Sequence, residues 1–170
     1  MTRICLIFLL TFSVLTLSAQ RYAIIDTKYI LEKIPDYKNA NKKIEEFAEA
    51  WQQEIDLLQA DLDKMYRDFE GEKAMLTPEL LKKREDEIFN KEKQVRDLQR
   101  KRFGYEGDYF KKKQDLVKPI QEKVYNAVQR LASEKMYDFI LDKSEGITVI
   151  FADPKLDKSD DVLKIMGIKL

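Results

Sequence analysis

The chain has 170 residues, with 31 Lys and Arg against 31 Asp and Glu, one cysteine and no histidine. Balanced charge argues against a nucleic-acid binder, which carries a basic excess, and the missing histidine removes the commonest general base and metal ligand. No Gly-rich phosphate loop, G-x-S-x-G elbow or cysteine cluster occurs, so neither an enzyme nor a cofactor or metal site is expected; acid pairs such as Glu54/Asp56 and Asp160/Asp161 read as solvated helix-surface charge.

The chain opens with Arg3 and an uncharged, mostly apolar run from Ile4 to Leu17, followed by Ser18, Ala19 and Gln20. That pattern predicts a secretory signal peptide over 1–19, cleaved after Ala19 and too short for a membrane span; an uncleaved anchor is the alternative. Cys5 lies inside it. The mature chain would therefore enter an oxidising compartment with no cysteine and no disulfide framework.

Tyr22 to Asp26 reads as a short strand, followed by a helical turn around Tyr29-Ile30-Leu31. Pro35 ends the entry segment and Asp36 suits a helix N-cap. From Asp36 to Lys118 the residues are strong helix formers. On the first helix Ala40, Ile44, Phe47, Trp51, Ile55, Leu58, Leu62, Met65 and Phe69 recur every three or four positions. This is a coiled-coil seam with a four-residue stutter at Trp51–Ile55. The helix continues to Leu76. Thr77 then caps a second helix with Pro78 at its first position. Leu81, Ile88, Val95, Leu98, Tyr105, Tyr109 and Leu116 give that helix a sparser seam, continuing to Pro119.

Folding the two limbs over at Thr77 makes an antiparallel hairpin arm about 60 Å long and puts Gly104 beside Trp51. Gly104 and Gly107 suit a helix interior poorly. Either they make room for the Trp51 indole or they soften the arm. Together with Pro119, expected to kink the helix, they are the hinge candidates. Phe89, Phe103 and Phe110 share one heptad position off the seam, and Tyr66 is off it too. An exposed apolar stripe marks an interaction surface; the alternative is packing on the partner helix or a neighbouring subunit.

Beyond Pro119, Ile120, Val124, Val128 and Leu131 form an apolar helical face. Phe139 to Asp142, a turn over 143–146 and Ile147 to Phe151 predict a strand hairpin. Ser159 is placed to cap a last helix carrying Val162, Leu163 and Met166. The organisation is thus an arm over 36–118 and a discontinuous body over 20–35 and 119–170. The fold class is mainly α with a small β-containing body. A core this small calls for oligomerisation.

The segments "RYAIIDTKYILEKIP", "LVKPIQEKVYNAVQRLASEKMYDFILD" and "DVLKIMGI", in this order around a charged helical hairpin, resemble the Skp/OmpH family of periplasmic chaperones. The resemblance implies a jellyfish-like homotrimer, its body drawing on Tyr22, Ile24, Ile25, Ile120, Val124, Val128, Phe139, Leu141, Ile147, Val149 and Phe151. It implies three arms enclosing unfolded outer-membrane β-barrel proteins, without cofactor or ATP, and transient contact with membrane surfaces. Tyr66, Phe89, Phe103 and Phe110 become the candidates for client contact. Two features depart from the family pattern. The chain is neutral where such chaperones are typically basic, and Met136 stands where a helix-ending glycine is often found. The alternative function is a structural coiled-coil tether or adaptor of the envelope.

Overall fold

The computed structural model describes residues 20–144, 146 and 149–169. The segment 1–19, where the signal peptide is expected, and Ile147 of the expected hairpin lie outside them. The order is β1 (Tyr22–Ile25), α1 (Thr27–Lys33), α2 (Pro35–Glu72), a 3-10 turn (Lys73–Met75), α3 (Pro78–Phe103), α4 (Asp108–Lys135), β2 (Phe139–Asp142), a second 3-10 turn (Pro154–Leu156) and α5 (Ser159–Ile165). The chain is mainly helical with one small sheet. It divides into two compact units, residues 34–123 and residues 20–33 with 124–169.

The first unit is an antiparallel helical hairpin. Pro35 does not end the entry segment; it occupies the first turn of α2 after an extended Ile34. Proline lacks an N–H that this turn could not bond anyway, so it starts a helix well, and Asp36 follows in the dipole-favoured first turn. Ala40, Ile44, Ile55, Leu62 and Phe69 of α2 are buried, as are Ile88 and Val95 of α3. Leu62, Phe69, Ile88 and Val95 form one cluster, flanked by Leu58, Met65, Leu76 and Leu81. Ion pairs Glu72–Arg84, Asp61–Lys91 and Glu54–Arg102 cross between the limbs, each pair nearly equidistant from the turn. At that turn the Thr77 hydroxyl accepts from the Leu80 N–H and Pro78 opens α3.

The return limb is not one helix. α3 stops at Phe103, Gly104 takes φ −70° and ψ 178°, Glu106 has φ +52°, and α4 starts at Asp108. A Cβ at Gly104 would sit 2.3 Å from the Arg100 carbonyl oxygen; one at Gly107 would sit 2.8 Å from that of Lys101. The glycines therefore serve a tight backbone turn. The atoms nearest such a Cβ belong to the same limb, the Arg100 carbonyl and Cγ at Gly104 and the carbonyl oxygens of Lys101, Gly104 and Arg102 at Gly107. The Gly107 N–H donates to the Gly104 carbonyl and the Gly107 carbonyl accepts from Lys111, restarting the helix. Tyr105, expected in the seam, is 96% exposed on this turn. Phe47 and Tyr109 also retain over a third of their surface. α4 then runs on through Pro119.

In the second unit, Ile30, Leu131, Val162 and Leu163 are fully buried. The Asp26 carboxylate accepts from the Tyr29 N–H and starts α1. β2 pairs with β1 in parallel, Tyr22 opposite Phe139 through Ile25 opposite Asp142. The expected antiparallel hairpin is corrected: Val149 to Phe151 is not strand, and Asp157 takes the other edge of β1, where the Lys158 N–H donates to the Ile24 carbonyl at 2.8 Å. Parallel pairing suits a strand with consecutive buried residues, here Ala23, Ile24 and Ile25. Side chains pin the register. Asp142 accepts from the Thr27 N–H and from the Ser144 N–H. Ser159 does not cap α5; its hydroxyl accepts from the Asp26 N–H and donates to Asp157. Where the α4 helix ends, Met136 is left-handed at φ +53°. The Tyr137 N–H reaches the Ala132 carbonyl and the Met136 N–H that of Ser133, closing the end of the helix without the glycine that geometry prefers.

Candidate functional site

The hairpin's distinctive chemistry lies where its return limb breaks. Trp51 stacks on Phe47 at 5.7 Å and meets Phe103 edge-on at 6.4 Å, and Phe103 continues to Tyr109 at 6.1 Å. These rings stand at the stutter, where the buried positions of α2 jump from Ile44 to Ile55. The Arg102 guanidinium lies 5.3 Å from the indole centroid. It also donates to Glu54 at 2.9 and 3.2 Å and to Asp108 at 2.6 Å. One side chain thus ties α2, the last turn of α3 and the first turn of α4 together. The hydrogen bond to Asp108, and then that to Glu54, outweigh desolvation and hold the Arg102 proton more tightly than usual. Lys112 lies over Phe47 at 5.0 Å.

The four predicted contact aromatics are exposed, but they do not form one patch. Phe103 belongs to the Trp51 cluster and is 41% exposed; Phe110, beyond the break, is 52% exposed and Phe89 59%. Among the described residues no ring pair links Phe89 or Phe110 to another aromatic. Tyr66 is also exposed, and its hydroxyl donates to Glu92. That hydrogen bond, helped by Arg96 and opposed by desolvation, holds the Glu92 carboxyl below its ordinary range. Sequence reasoning missed the Arg102–Glu54–Asp108 junction. Its signal was present in two glycines three apart, flanked by Arg100–Arg102 and Lys111–Lys113.

In the other unit Tyr22 stacks on Phe139 at 5.6 Å, both half exposed, and Ile150 and Phe151 are open to solvent. Of the residues expected in a trimer body, Ile24, Ile25 and Val124 are buried within this unit, Val128, Leu141 and Val149 are partly buried, and Ile147 lies outside the described residues; Ile120 is buried in the hairpin unit. A polar cleft of 330 Å³ is lined by Asp26, Tyr29, Lys143, Pro154, Asp157, Ser159 and Asp160. Burial pushes the Asp157 carboxyl up, but hydrogen bonds from Lys143 and Ser159 prevail and leave it low. Among the described residues no group of His, Cys, Asp and Glu is placed to hold a metal, and no helix is long and apolar enough to cross a membrane.

The family model described as "Outer membrane protein (OmpH-like)" matches residues 21–166. The chain belongs to the OmpH-like family. This OmpH-like chain is 23% identical over 149 residues to the chaperone protein Skp of Yersinia enterocolitica, covering 88% of its own length and 87% of that relative. Its fold is similar to the crystal structure of an OmpH-like protein of Caulobacter crescentus CB15. The TM-score is 0.70 at 12% identity, covering 89% of this chain and 85% of that one.

Proposed function

We propose that this OmpH-like chain is a periplasmic holdase chaperone. It binds unfolded outer-membrane β-barrel proteins and prevents their aggregation without ATP. The observation that carries this reading is a hairpin whose surface aromatics, Phe89, Phe103, Tyr105 and Phe110, remain open to solvent in a chain matched to the family along most of its length. A two-helix arm has no further layer to cover them, and exposed apolar side chains meet the apolar segments of a client that would otherwise pair edge to edge. In this reading residues 1–19 are removed on export. Residues 20–35 and 119–170 form a homotrimer body through the Tyr22/Phe139 region, and the arms form a cavity with Gly104, Gly107 and Pro119 as pivots. Many weak contacts from three arms add up to useful avidity.

The test is suppression of aggregation when a urea-unfolded outer-membrane β-barrel is diluted into buffer. The mature chain should keep the barrel protein in solution. A chain with 36–118 replaced by a short linker should keep its assembly mass by light scattering and lose the holding. Aggregation at the same rate with and without the mature chain would leave a structural tether as the better description.

A further inference from the structure

The expected cleavage after Ala19 makes Gln20 the first residue of the exported chain. Only Arg21 separates it from β1. Gln20 is exposed and lies outside the sheet, whereas the backbone is fixed from the next residue onward. The Arg21 N–H donates to the Asp138 carboxylate at 2.7 Å, and the Arg21 carbonyl accepts from the Asp138 N–H at 2.7 Å. The Arg21 guanidinium stands 5.9 Å from the centre of the Tyr137 ring, and Tyr22 stacks on Phe139.

The strand that begins here holds its unit together. β1 pairs with β2 along one side and bridges to Asp157 on the other, and Ala23, Ile24 and Ile25 are buried. Both neighbours come from the other end of the chain, so neither has β1's place to fall back on. An aminopeptidase that removed Gln20 and Arg21 would take away the clamp on Asp138. One that continued would remove the central strand. The exported N-terminus is therefore the end at which trimming does most damage.

We propose that Gln20 is a modification site: after export its α-amine closes on its own side-chain amide, giving an N-terminal pyroglutamyl lactam that caps β1. The amine nitrogen attacks Cδ, the N–Cδ bond forms and the Cδ–Nε2 bond breaks. A proton from the amine leaves with Nε2 as ammonia, and no co-reactant is consumed. An α-amine titrates at about 8, so part of it is unprotonated and nucleophilic near neutral pH. Amine and amide belong to one residue and meet at high effective concentration. Exposure of Gln20 leaves both groups open to closure, or to an enzyme that catalyses it, in the folded chain. The peptide bond to Arg21 is untouched, so the clamp on Asp138 survives. The lactam denies aminopeptidases the free amine that they grip and removes a positive charge beside the Arg21 guanidinium. The inference rests on the export reading above and adds the chemical state of the first residue.

The experiment takes the full exported protein from the envelope of the cells that make it and reads its intact mass in a fresh, neutral extract. The mass should equal residues 20–170 less one ammonia, and pyroglutamyl peptidase should expose Arg21 as the new N-terminus. Gln20→Ala has no amide to close on and should give a free amine at position 20 with Tm unchanged. Under a broad-specificity aminopeptidase the Gln20→Ala chain should lose residue 20 while the wild-type chain keeps its mass. A chain that begins at Gln20 with its amine free overturns the lactam and leaves export standing. A chain that retains residues 1–19, or starts at another residue, overturns the export reading and the lactam together. Equal resistance of the two chains to the aminopeptidase overturns the capping role, because the clamp on Asp138 would then protect β1 without it.

Discussion

Replacing Met136 with glycine should stabilise the protein. Met136 closes the end of α4 at φ +53°, a conformation in which its Cβ crowds the backbone, at a cost of roughly 1–2 kcal/mol for a non-glycine residue. Its side chain is 71% exposed, so removing it forfeits little burial. Glycine returns up to about 1 kcal/mol of that gain through the larger freedom of the unfolded chain. The net expectation is a stabilisation of about 0.5–1 kcal/mol, or about 3–6 °C in Tm for a unit of this size. The assay is thermal unfolding by circular dichroism at one fixed protein concentration. Met136→Ala is the control: it trims the side chain as far as Cβ but keeps the left-handed strain, and so should give no gain. If alanine stabilises as much as glycine, or glycine lowers Tm, the strain argument is wrong.

Leu62→Ala removes a buried seam residue next to Phe69, Ile88 and Val95 and should cost about 2–5 kcal/mol, read as lost arm helicity and a lower melting point; an unchanged melt would mean that the seam does not hold the hairpin. By contrast Phe89→Ser with Phe110→Ser, at exposed positions, should leave Tm within about 1 °C yet weaken binding of an unfolded barrel protein, and a loss of helix would assign these rings to packing. Gly104→Ala puts a Cβ against the Arg100 carbonyl, so Trp51 emission should change and the melting point fall, whereas an unaltered spectrum would show that the turn accepts a side chain. For pH, burial raises the Asp142 carboxyl, but hydrogen bonds from Thr27 and Ser144 prevail and leave it below its ordinary value. The ionised form is then favoured by folding. Its contribution is full above the unfolded carboxyl value of about 3.9 and is lost as pH falls through the lower folded value. Asp142→Asn should lower Tm at neutral pH and flatten the acid limb of the Tm–pH profile, and an unchanged acid slope would rule Asp142 out as its source.

The hairpin was written in the sequence because its signals are local. The three- and four-residue spacing from Ala40 to Phe69 and the Thr77-Pro78 cap depend only on helix periodicity and on neighbouring residues, and so the turn and the antiparallel partners could be placed by counting. Exposure of Phe89, Phe103 and Phe110 was likewise legible, since a two-helix arm can bury only one stripe. What the sequence could not decide was anything settled by competition between distant segments. Residues 139–142 could pair with the next apolar run or with Tyr22–Ile25, and only the tertiary arrangement selects the parallel partner, through the buried Ile24 and Ile25 and the grip of Asp142 on Thr27. Two glycines in a helical stretch were equally compatible with a bend and with a break. The break centres on Gly104 and Gly107, where a Cβ would strike the Arg100 and Lys101 carbonyls, and Arg102 bonds Glu54 across the hairpin and Asp108 beyond the turn; such contacts leave no periodic trace, and Tyr105, assigned to the seam, stands in solvent instead.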